Sequence, residues 1–211
     1  MSRLGVGEPL DRVTVVHNWV RRRLGSVAHE LRVSRNARML FTLTQRWHSL
    51  DAGDCRMLLL GAMVHDVGRV AGEKRHAQNG ARMVLEHAGL PLSETERRRA
   101  AYLTRYHRGK VPAAGAEAFL DHDLDDSFTM RVLLGLLRTA DALDSRTLGT
   151  PQLMMTARSG GERVVMIHGY VECDVRDAEE MYARPKKFRL LEEVLNCRVR
   201  PQWFEDTALV A

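Results

Sequence analysis

Apolar residues recur at helical spacing through most of the first 150 positions of the chain. Such a repeat is typical of helices that bury one face, and here it predicts six of them. The predicted helices span residues 9–25, 34–47, 55–67, 76–88, 93–106 and 128–145. The helix at 55–67 is apolar almost all round, as is typical of a helix at the centre of a fold. The pattern therefore predicts a mainly α-helical bundle.

Residues with helix-capping chemistry stand where several of these helices are predicted to begin. Ser34, Asp54 and Ser127 are predicted N-caps, because their side-chain oxygens can accept hydrogen bonds from free N–H groups of the first turn. Ser93 opens the sequence Ser-Glu-Thr-Glu, which is a capping box. Residues 27–33 lie between the first two helices and are not assigned to an element.

The pattern changes after residue 150. A β-hairpin, a helical stretch and a third strand are predicted at 152–157 with 164–167, at 175–195 and at 199–204. Pro185 should divide the helical stretch in two, and Pro201 should place the last strand at an edge of the sheet. The predicted architecture is a helical bundle over residues 1–150 with a small C-terminal α+β cap over residues 151–211.

The composition is that of an ordinary globular protein, with 211 residues of which 45% are apolar and 28% charged. No apolar run reaches the roughly 18 residues of a membrane span. The N-terminus lacks the hydrophobic region of a signal peptide. Cys55, Cys173 and Cys197 are widely spaced and form no C-x-x-C motif. The sequence therefore predicts a reduced, cytoplasmic protein with no membrane partner and no cysteine metal site.

The net charge of +5 and a pI of about 9.4 favour anionic partners such as phosphates and nucleotides. An arginine-rich chain with solvated basic faces would have the same charge. The arginine triplets at 21–23 and 97–99 lie on helical stretches without interleaved aromatic residues. Nucleic acid is therefore not expected as a partner.

Two adjacent ionisable residues, His65 and Asp66, end the apolar run at 57–64. A carboxylate and an imidazole that face a core are tolerated only when they are paired, hydrogen-bonded or bound to a metal. Asp141 is predicted on the buried face of the sixth helix, where it also needs a partner. A salt bridge to Arg138 or Arg146 would serve, and a single buried histidine is more often structural than functional.

Taken together, these residues and two further histidines suggest a metal site. The candidate ligands are His65, Asp66, His76, His107 and Asp141. Mixed imidazole and carboxylate ligands suit Mn, Fe, Zn or Mg. One or two divalent ions of unspecified identity are therefore expected.

The order of these motifs resembles that of the HD superfamily of metal-dependent phosphohydrolases. The motifs are His-Asp-Val-Gly-Arg at 65–69, His-Ala-Gln-Asn-Gly-Ala at 76–81, Arg-Tyr-His-Arg-Gly-Lys-Val-Pro at 105–112 and Leu-Leu-Arg-Thr-Ala-Asp-Ala-Leu-Asp at 136–144. More narrowly, they resemble the C-terminal HD-like half of exopolyphosphatase/guanosine pentaphosphatase proteins, over residues 10–204. The actin-like half that carries polyphosphatase catalysis in that family has no counterpart among these residues.

The resemblance implies that His65, Asp66 and Asp141 bind one metal ion. Asp66 would bridge to a second ion held by His76 and His107, and would thereby be the catalytic carboxylate. Two such ions would clamp a phosphate and lower the pKa of the attacking water. Five basic residues would surround the substrate phosphate: Arg69, Lys74, Arg105, Arg108 and Lys110.

The first histidine ligand of HD enzymes falls at Asn36 when the sequences are aligned on residues 37–40. An amide oxygen is a poorer ligand than imidazole for transition metals and suits a harder ion. His29 lies seven residues earlier and could replace the missing histidine if residues 27–33 fold inward. A second His-Asp pair, in the acidic run at 121–126, lacks the glycine and glutamate of a calcium loop and is predicted to be solvated.

The sequence therefore predicts a metal-dependent phosphohydrolase that acts on a phosphate ester or anhydride, with nucleotides or polyphosphate as substrates. Two alternatives remain at this point. One is a non-catalytic module of the same fold that binds polyphosphate or a nucleotide, and the other is a protein-interaction scaffold. Homodimerisation is compatible with the sequence but not required by it.

Overall fold

The computed structural model describes residues 11–113, 119, 124–146, 150–182 and 184–206. Helices predominate, and a small sheet follows them near the C-terminus, as predicted. The helices are α1 (Arg12–Leu24), α2 (Ala28–His48), α3 (Ala52–Val64), α4 (His76–Glu86), α5 (Glu94–Tyr106), α6 (Leu124–Ala142), α7 (Val175–Tyr182) and α8 (Pro185–Leu195). The strands are β1 (Gln152–Arg158), β2 (Arg163–Val171) and β3 (Cys197–Glu205), and two 3₁₀ turns at Val67–Ala71 and Glu73–Arg75 connect α3 to α4.

Helix α3 lies at the centre of the bundle and packs against α1, α2, α5 and α6. This position explains why α3 is apolar on nearly every side. At Gly61 an added Cβ would lie 2.4 Å from Leu103, so the glycine allows α3 and α5 to approach closely. The helix begins earlier than predicted. Asp51 is the N-cap, and Asp54 completes a capping box with it instead of being the cap itself.

Helix α2 begins at Ala28, six residues before the predicted start at Ser34. The prediction was wrong because Ser34 lies inside the helix and does not cap it. The buried stripe that continues through Val33, Ala37 and Leu40 sets the orientation of the whole helix. His29, in the first turn of α2, therefore faces the protein interior, and its side chain is buried.

Helix α6 begins at Leu124, so Ser127 also lies within a helix and is not the predicted N-cap. The helix is buried along most of its length, including Leu133, Leu134 and Leu137. It packs chiefly against α8 and also against α2. This contact joins the helical bundle to the α+β part. The sequence of residues 111–127 is typical of a loop with at most one helical turn, at 115–120, and that turn falls largely on residues outside the described ranges.

The three strands form one sheet in the order β1-β2-β3. Strands β1 and β2 form the predicted antiparallel hairpin, whereas β2 and β3 run parallel because α7 and α8 lie between them in the chain. Pro185 is the first residue of α8 and divides the helical stretch as predicted. Strand β3, which contains Pro201, lies at an edge as predicted. One face of the sheet packs on the core through Val165, Ile167 and Trp203.

The cysteines Cys55, Cys173 and Cys197 are free thiols. Among the described residues, no helix combines the length and the apolar character that crossing a membrane requires.

Candidate metal centre

Four buried histidines meet at the ends of four helices. His29 lies in the first turn of α2, His65 directly follows α3, His76 begins α4 and His107 directly follows α5. Three of them share one local geometry. The Nδ1–H groups of His65, His76 and His107 donate to the carbonyl oxygen three residues earlier, at 2.8, 2.7 and 2.7 Å respectively. The backbone at each helix end therefore fixes the orientation of the ring.

His29 is held differently, because its Nδ1–H donates to Oδ2 of Asp144 at 2.6 Å. Arg32 in turn binds both carboxylate oxygens of Asp144, at 2.6 and 3.0 Å. A carboxylate behind an imidazole fixes its tautomer and increases the basicity of the free nitrogen. No role for Asp144 was predicted from the sequence. Its position at the end of the Ala-Asp-Ala-Leu-Asp motif was the only available signal.

Because the Nδ1 atoms carry the protons, each Nε2 atom presents a lone pair to the interior of the cluster. The Nε2 atoms of His29 and His65 lie 3.3 Å apart, and those of His76 and His107 lie 3.2 Å apart. Two lone pairs at this distance repel each other unless a proton or a metal cation lies between them. The four histidines thus form two pairs, and in each pair a proton or a metal cation between the Nε2 atoms would remove the repulsion.

Two aspartates complete these pairs. Oδ1 of Asp66 lies 3.2 Å from Nε2 of His76 and 3.4 Å from Nε2 of His107, whereas its Oδ2 lies 3.9 Å from Nε2 of His29. Oδ1 of Asp141 lies 3.5 Å from Nε2 of His29 and 3.6 Å from Nε2 of His65. Asp66 is therefore shared between both histidine pairs, while Asp141 adjoins one of them.

The spacing of these atoms fits a divalent metal ion. Two groups, His29–His65–Asp66 and Asp66–His76–His107, have one potential ligand atom per residue, and these atoms lie within 4.8 Å of one another. Ligands bonded at about 2.0–2.2 Å around a tetrahedral ion are roughly 3.4 Å apart, close to the observed separations. Imidazole and carboxylate ligands together suit Zn, Mn or Fe. The residues could thus hold one ion in each group.

His65 and His107, one histidine from each pair, differ in their proton affinity. Burial alone would lower the pKa of His65, but the carboxylates of Asp66 and Asp141 raise it to about 9. For His107, burial and the charge of His65 outweigh the neighbouring carboxylates and lower the pKa to about 4. Despite burial, which would raise it, the positive charge of His65 together with the adjacent His107 and His76 rings holds the pKa of Asp66 well below its usual range. Both aspartates are therefore ionised and available as ligands.

Three basic side chains contact the aspartates from the outside. Nε of Arg69 lies 2.5 Å and Nη2 of Arg146 lies 3.0 Å from Oδ2 of Asp66. Nζ of Lys187 lies 2.6 Å from Oδ2 of Asp141. Lys187 is thus the ion-pair partner of Asp141, where the sequence suggested Arg138 or Arg146. Only Arg69 had been predicted here, since Arg146 and Lys187 reach the cluster through contacts between distant parts of the chain.

The other predicted substrate-binding residues lie further out. Glu73 forms ion pairs with Arg69 and, at 3.4 Å, with Arg108, so these two arginines flank one carboxylate. Arg105 lies over the ring of Tyr106, with its guanidinium carbon 5.2 Å from the ring centroid. The remaining two, Lys74 and Lys110, are exposed to solvent. The side chains of the acidic run at 121–126 lie outside the described residues.

His29, and not Asn36, is the residue of α2 that lies beside His65 and Asp141. Asn36 is buried in the same helix, but a rise of about 1.5 Å per residue places it roughly 10 Å further along the axis. The alternative in which residues 27–33 fold inward thus describes the observed geometry. The buried stripe of α2, extended backwards from Val33, is the sequence signal that could have located His29.

The chain is thus a helical bundle that gathers four imidazoles and two carboxylates at its helix ends. This places it in the class of helical proteins with a buried histidine–aspartate cluster. A comparison with known families makes the class specific. Residues 16–162, well over half of the chain, match the family described as Ppx/GppA phosphatase, domain III. The chain belongs to this family, as the motifs predicted. A search of curated proteins found no match.

Proposed function

We propose that the chain is a metal-dependent phosphohydrolase of HD type that acts on a phosphate ester or anhydride, with nucleotides or polyphosphate as the substrate class. The observation that carries the proposal is the convergence of four histidine Nε2 atoms on the carboxylates of Asp66, which both pairs share, and Asp141, which adjoins the first pair. In this proposal His29, His65, Asp66 and Asp141 hold one ion, and Asp66, His76 and His107 hold the other. When bound, the ions supply Lewis acidity and acidify water at neutral pH.

The chain's own residues bind and orient the substrate in this proposal. Arg69 and Arg146 lie at the carboxylate that both ion positions share, so their guanidinium groups border the place where a phosphate would arrive. Arginine binds phosphate oxygens with two parallel hydrogen bonds, which would fix the phosphorus for attack by water. Water oxygen then bonds to phosphorus as the bond to the leaving oxygen breaks. Arg108 is close enough to support the same phosphate group.

The C-terminal part of the chain contributes to this site through Lys187. Lys187 lies on α8, and its Nζ donates hydrogen bonds to Asp141 and, at 3.2 Å, to the carbonyl oxygen of His107. We therefore propose that residues 151–211 complete the functional unit formed with residues 1–150. A separate, independently active helical domain would lack this contact.

A second candidate is a non-catalytic module that binds phosphate-containing anions. One observation favours it: Arg69, Arg146 and Lys187 already balance the charges of Asp66 and Asp141. A buried network whose carboxylates already have ion-pair partners without a metal could be retained for structure alone. The two candidates differ in whether the protein binds stoichiometric metal and in whether substrate is turned over.

The test uses protein produced with Mn²⁺ or Fe²⁺ and a panel of p-nitrophenyl phosphate, nucleotides, pyrophosphate and inorganic polyphosphate. We expect bound metal and hydrolysis of at least one substrate, and we expect Asp66→Asn to reduce the rate by more than about a hundredfold. Asp177→Asn is the matched control, because this exposed aspartate on α7 undergoes the same chemical change away from the site. Metal-free protein that binds phosphate anions without hydrolysing them would favour the second candidate.

A further inference from the structure

One face of the sheet is not part of the core. Side chains alternate between the two faces of a strand, so even-numbered positions of β1, β2 and β3 lie on one side. The outer sheet face is defined here by the even positions of 152–158, 164–170 and 198–204. The odd positions Val165, Val199 and Trp203 are buried on the opposite face. Among the described residues, the helices pack on that opposite face.

Three rings form a cluster at one end of the outer sheet face. Tyr170 and Phe204 are register partners on adjacent strands, with ring centroids 5.6 Å apart and planes 29° apart. His168 meets Phe204 edge-on at the same centroid distance. Phe204 is 41% exposed, although burying such a ring would be strongly favourable. An aromatic cluster is therefore partly exposed to solvent.

Three arginines form the other end of the same face. Arg158, Arg198 and Arg200 are exposed, and the register places them on neighbouring strands around Val164 and Met166. No even position of the outer sheet face carries an acidic residue. Arg198 forms a 3.3 Å ion pair with Glu162 of the hairpin turn, but both side chains are more than half exposed, so the pair is weak. The face is therefore both aromatic and positively charged.

We propose that the outer sheet face binds single-stranded nucleic acid. Bases would stack on Tyr170 and Phe204, and the arginines would contact the phosphates of the same strand. Sheets that present aromatic side chains bind two or three stacked bases in this way, and positively charged grooves follow the backbone. The arginine triplets on α1 and α5 lack interleaved rings, whereas the sheet brings rings and arginines together from positions far apart in sequence.

Other occupants explain the surface less completely. Inorganic polyphosphate would satisfy the arginines but has no ring to stack on Phe204. A second copy of the chain would bring Glu162, which already pairs with Arg198, and Asp206, to which Gln152 already donates at 3.2 Å, as the described carboxylates near this face. Most of the arginines would therefore lose water without gaining an ion pair. Single-stranded nucleic acid supplies both a polyanionic backbone and exposed π-faces. Both other occupants are outcomes of the test below.

The test measures fluorescence anisotropy of a labelled 12-nucleotide oligouridylate with the full chain at low salt. We expect Phe204→Leu, which keeps an apolar side chain but removes the ring, to weaken binding roughly tenfold. Arg200→Gln should weaken binding and lower the slope of log K against log salt by about 0.7. Arg189→Gln, at an exposed arginine of α8, makes the same charge change elsewhere and should have no such effect. Circular dichroism checks that each variant is folded.

Binding should persist in EDTA, because the surface does not depend on the metal centre. Absence of hydrolysis by the metal-loaded protein, with oligonucleotide binding intact, would thus count against the proposed enzyme and not against this surface. Three results would overturn the inference. They are no oligonucleotide binding, an affinity unchanged by Phe204→Leu while polyphosphate of equal length competes as well as the oligonucleotide, or a sedimenting dimer that Phe204→Leu dissociates without any nucleic-acid binding.

Discussion

The two histidine pairs of the candidate metal centre are alike in geometry and unlike in charge. The Nε2 atoms are separated by 3.3 Å in the His29–His65 pair and by 3.2 Å in the His76–His107 pair. The first pair lies near two carboxylates, and its His29 is supported by a third, whereas the second pair contacts Asp66 alone and is supported by backbone carbonyls.

The comparison separates the effect of burial from that of neighbouring charge. His65 and His107 are both completely buried, yet the pKa of His65 is raised to about 9 and that of His107 is lowered to about 4. Asp66 and Asp141 raise the pKa of His65, whereas burial and the positive charge of His65 outweigh the same carboxylates at His107, so the charge of the surroundings decides which imidazole binds a proton. We infer that the first pair provides the more strongly anionic metal position, and that Asp66 couples it to the second.

The largest effect is expected from Asp141→Asn, which removes the carboxylate that belongs to the first pair alone. The variant should lose one of about two ions per chain, because the second pair keeps all its ligands. It should also destabilise the metal-free protein by about 3–5 kcal/mol, since Lys187 is left buried without its partner. Elemental analysis and urea unfolding measure the two effects. The double variant Asp141→Asn with Lys187→Met should regain the stability of the metal-free protein but not the lost ion. If its stability is not regained, the Asp141–Lys187 ion pair does not explain the destabilisation.

A substitution at Gly68 should affect the second pair first. An added Cβ would lie 2.0 Å from the carbonyl oxygen of His76 and 2.3 Å from the amide nitrogen of Gly80, so α4 would have to move. We expect Gly68→Ala to cost about 1–3 kcal/mol of stability and to weaken the second ion more than the first. Thermal unfolding and metal titration follow the change. Gly160→Ala, where an added Cβ meets no atom within 4 Å, is the control and should change neither quantity.

Asp144→Asn should weaken only the first ion. Asparagine keeps a side chain of similar size but replaces the carboxylate that holds the Nδ1–H of His29. Loss of such a supporting group typically reduces metal affinity 10–100-fold, or about 1.4–2.8 kcal/mol. Competition with a fluorescent chelator would measure both affinities in one titration. Equal losses at both positions would show that Asp144 stabilises the fold in general and does not position His29.

A fifth buried histidine, His48, provides a reference outside both pairs. Its Nδ1 accepts a hydrogen bond from the N–H of Leu50 at 3.0 Å, and its Nε2 lies 3.1 Å from the carbonyl oxygen of Phe41. Burial lowers its pKa below 6.5, so the folded state binds the proton less readily than the unfolded chain. Its contribution to stability should be present above about pH 6.5 and lost as the pH falls. Unfolding curves of wild-type and His48→Gln protein should converge toward acidic pH, and a constant difference would contradict this reading.

Much of the fold could be predicted from the sequence because the apolar stripes are long and regular. The boundaries failed at α2 and α6, where Ser34 and Ser127 have the chemistry of a cap but lie within helices. Serine is tolerated in a helix when tertiary packing fixes the segment, and no local pattern reveals this. The alignment on residues 37–40 predicted Asn36 at the first histidine position and named His29 only as an alternative, because residues 27–33 carry no clear pattern, whereas the structure places His29 in the first turn of α2.

The candidate ligands were predictable where they end an apolar run or follow a motif, as with His65 and Asp66. The residues that balance and support them were not. Arg146 contacts Asp66 across 80 positions of sequence, and Lys187 contacts Asp141 across 46. Such contacts depend on how α6, α8 and the following segments pack, and single sequences carry no periodic signal for them.

The most direct test of the two-ion arrangement is a calorimetric titration of metal-free protein with Mn²⁺, checked by elemental analysis. The wild-type chain and Asn36→Ala should each bind about two ions, whereas His29→Ala and His76→Ala should each bind about one. Wild-type protein that binds less than about a tenth of an ion per chain, or a stoichiometry that neither histidine substitution changes, would contradict the account.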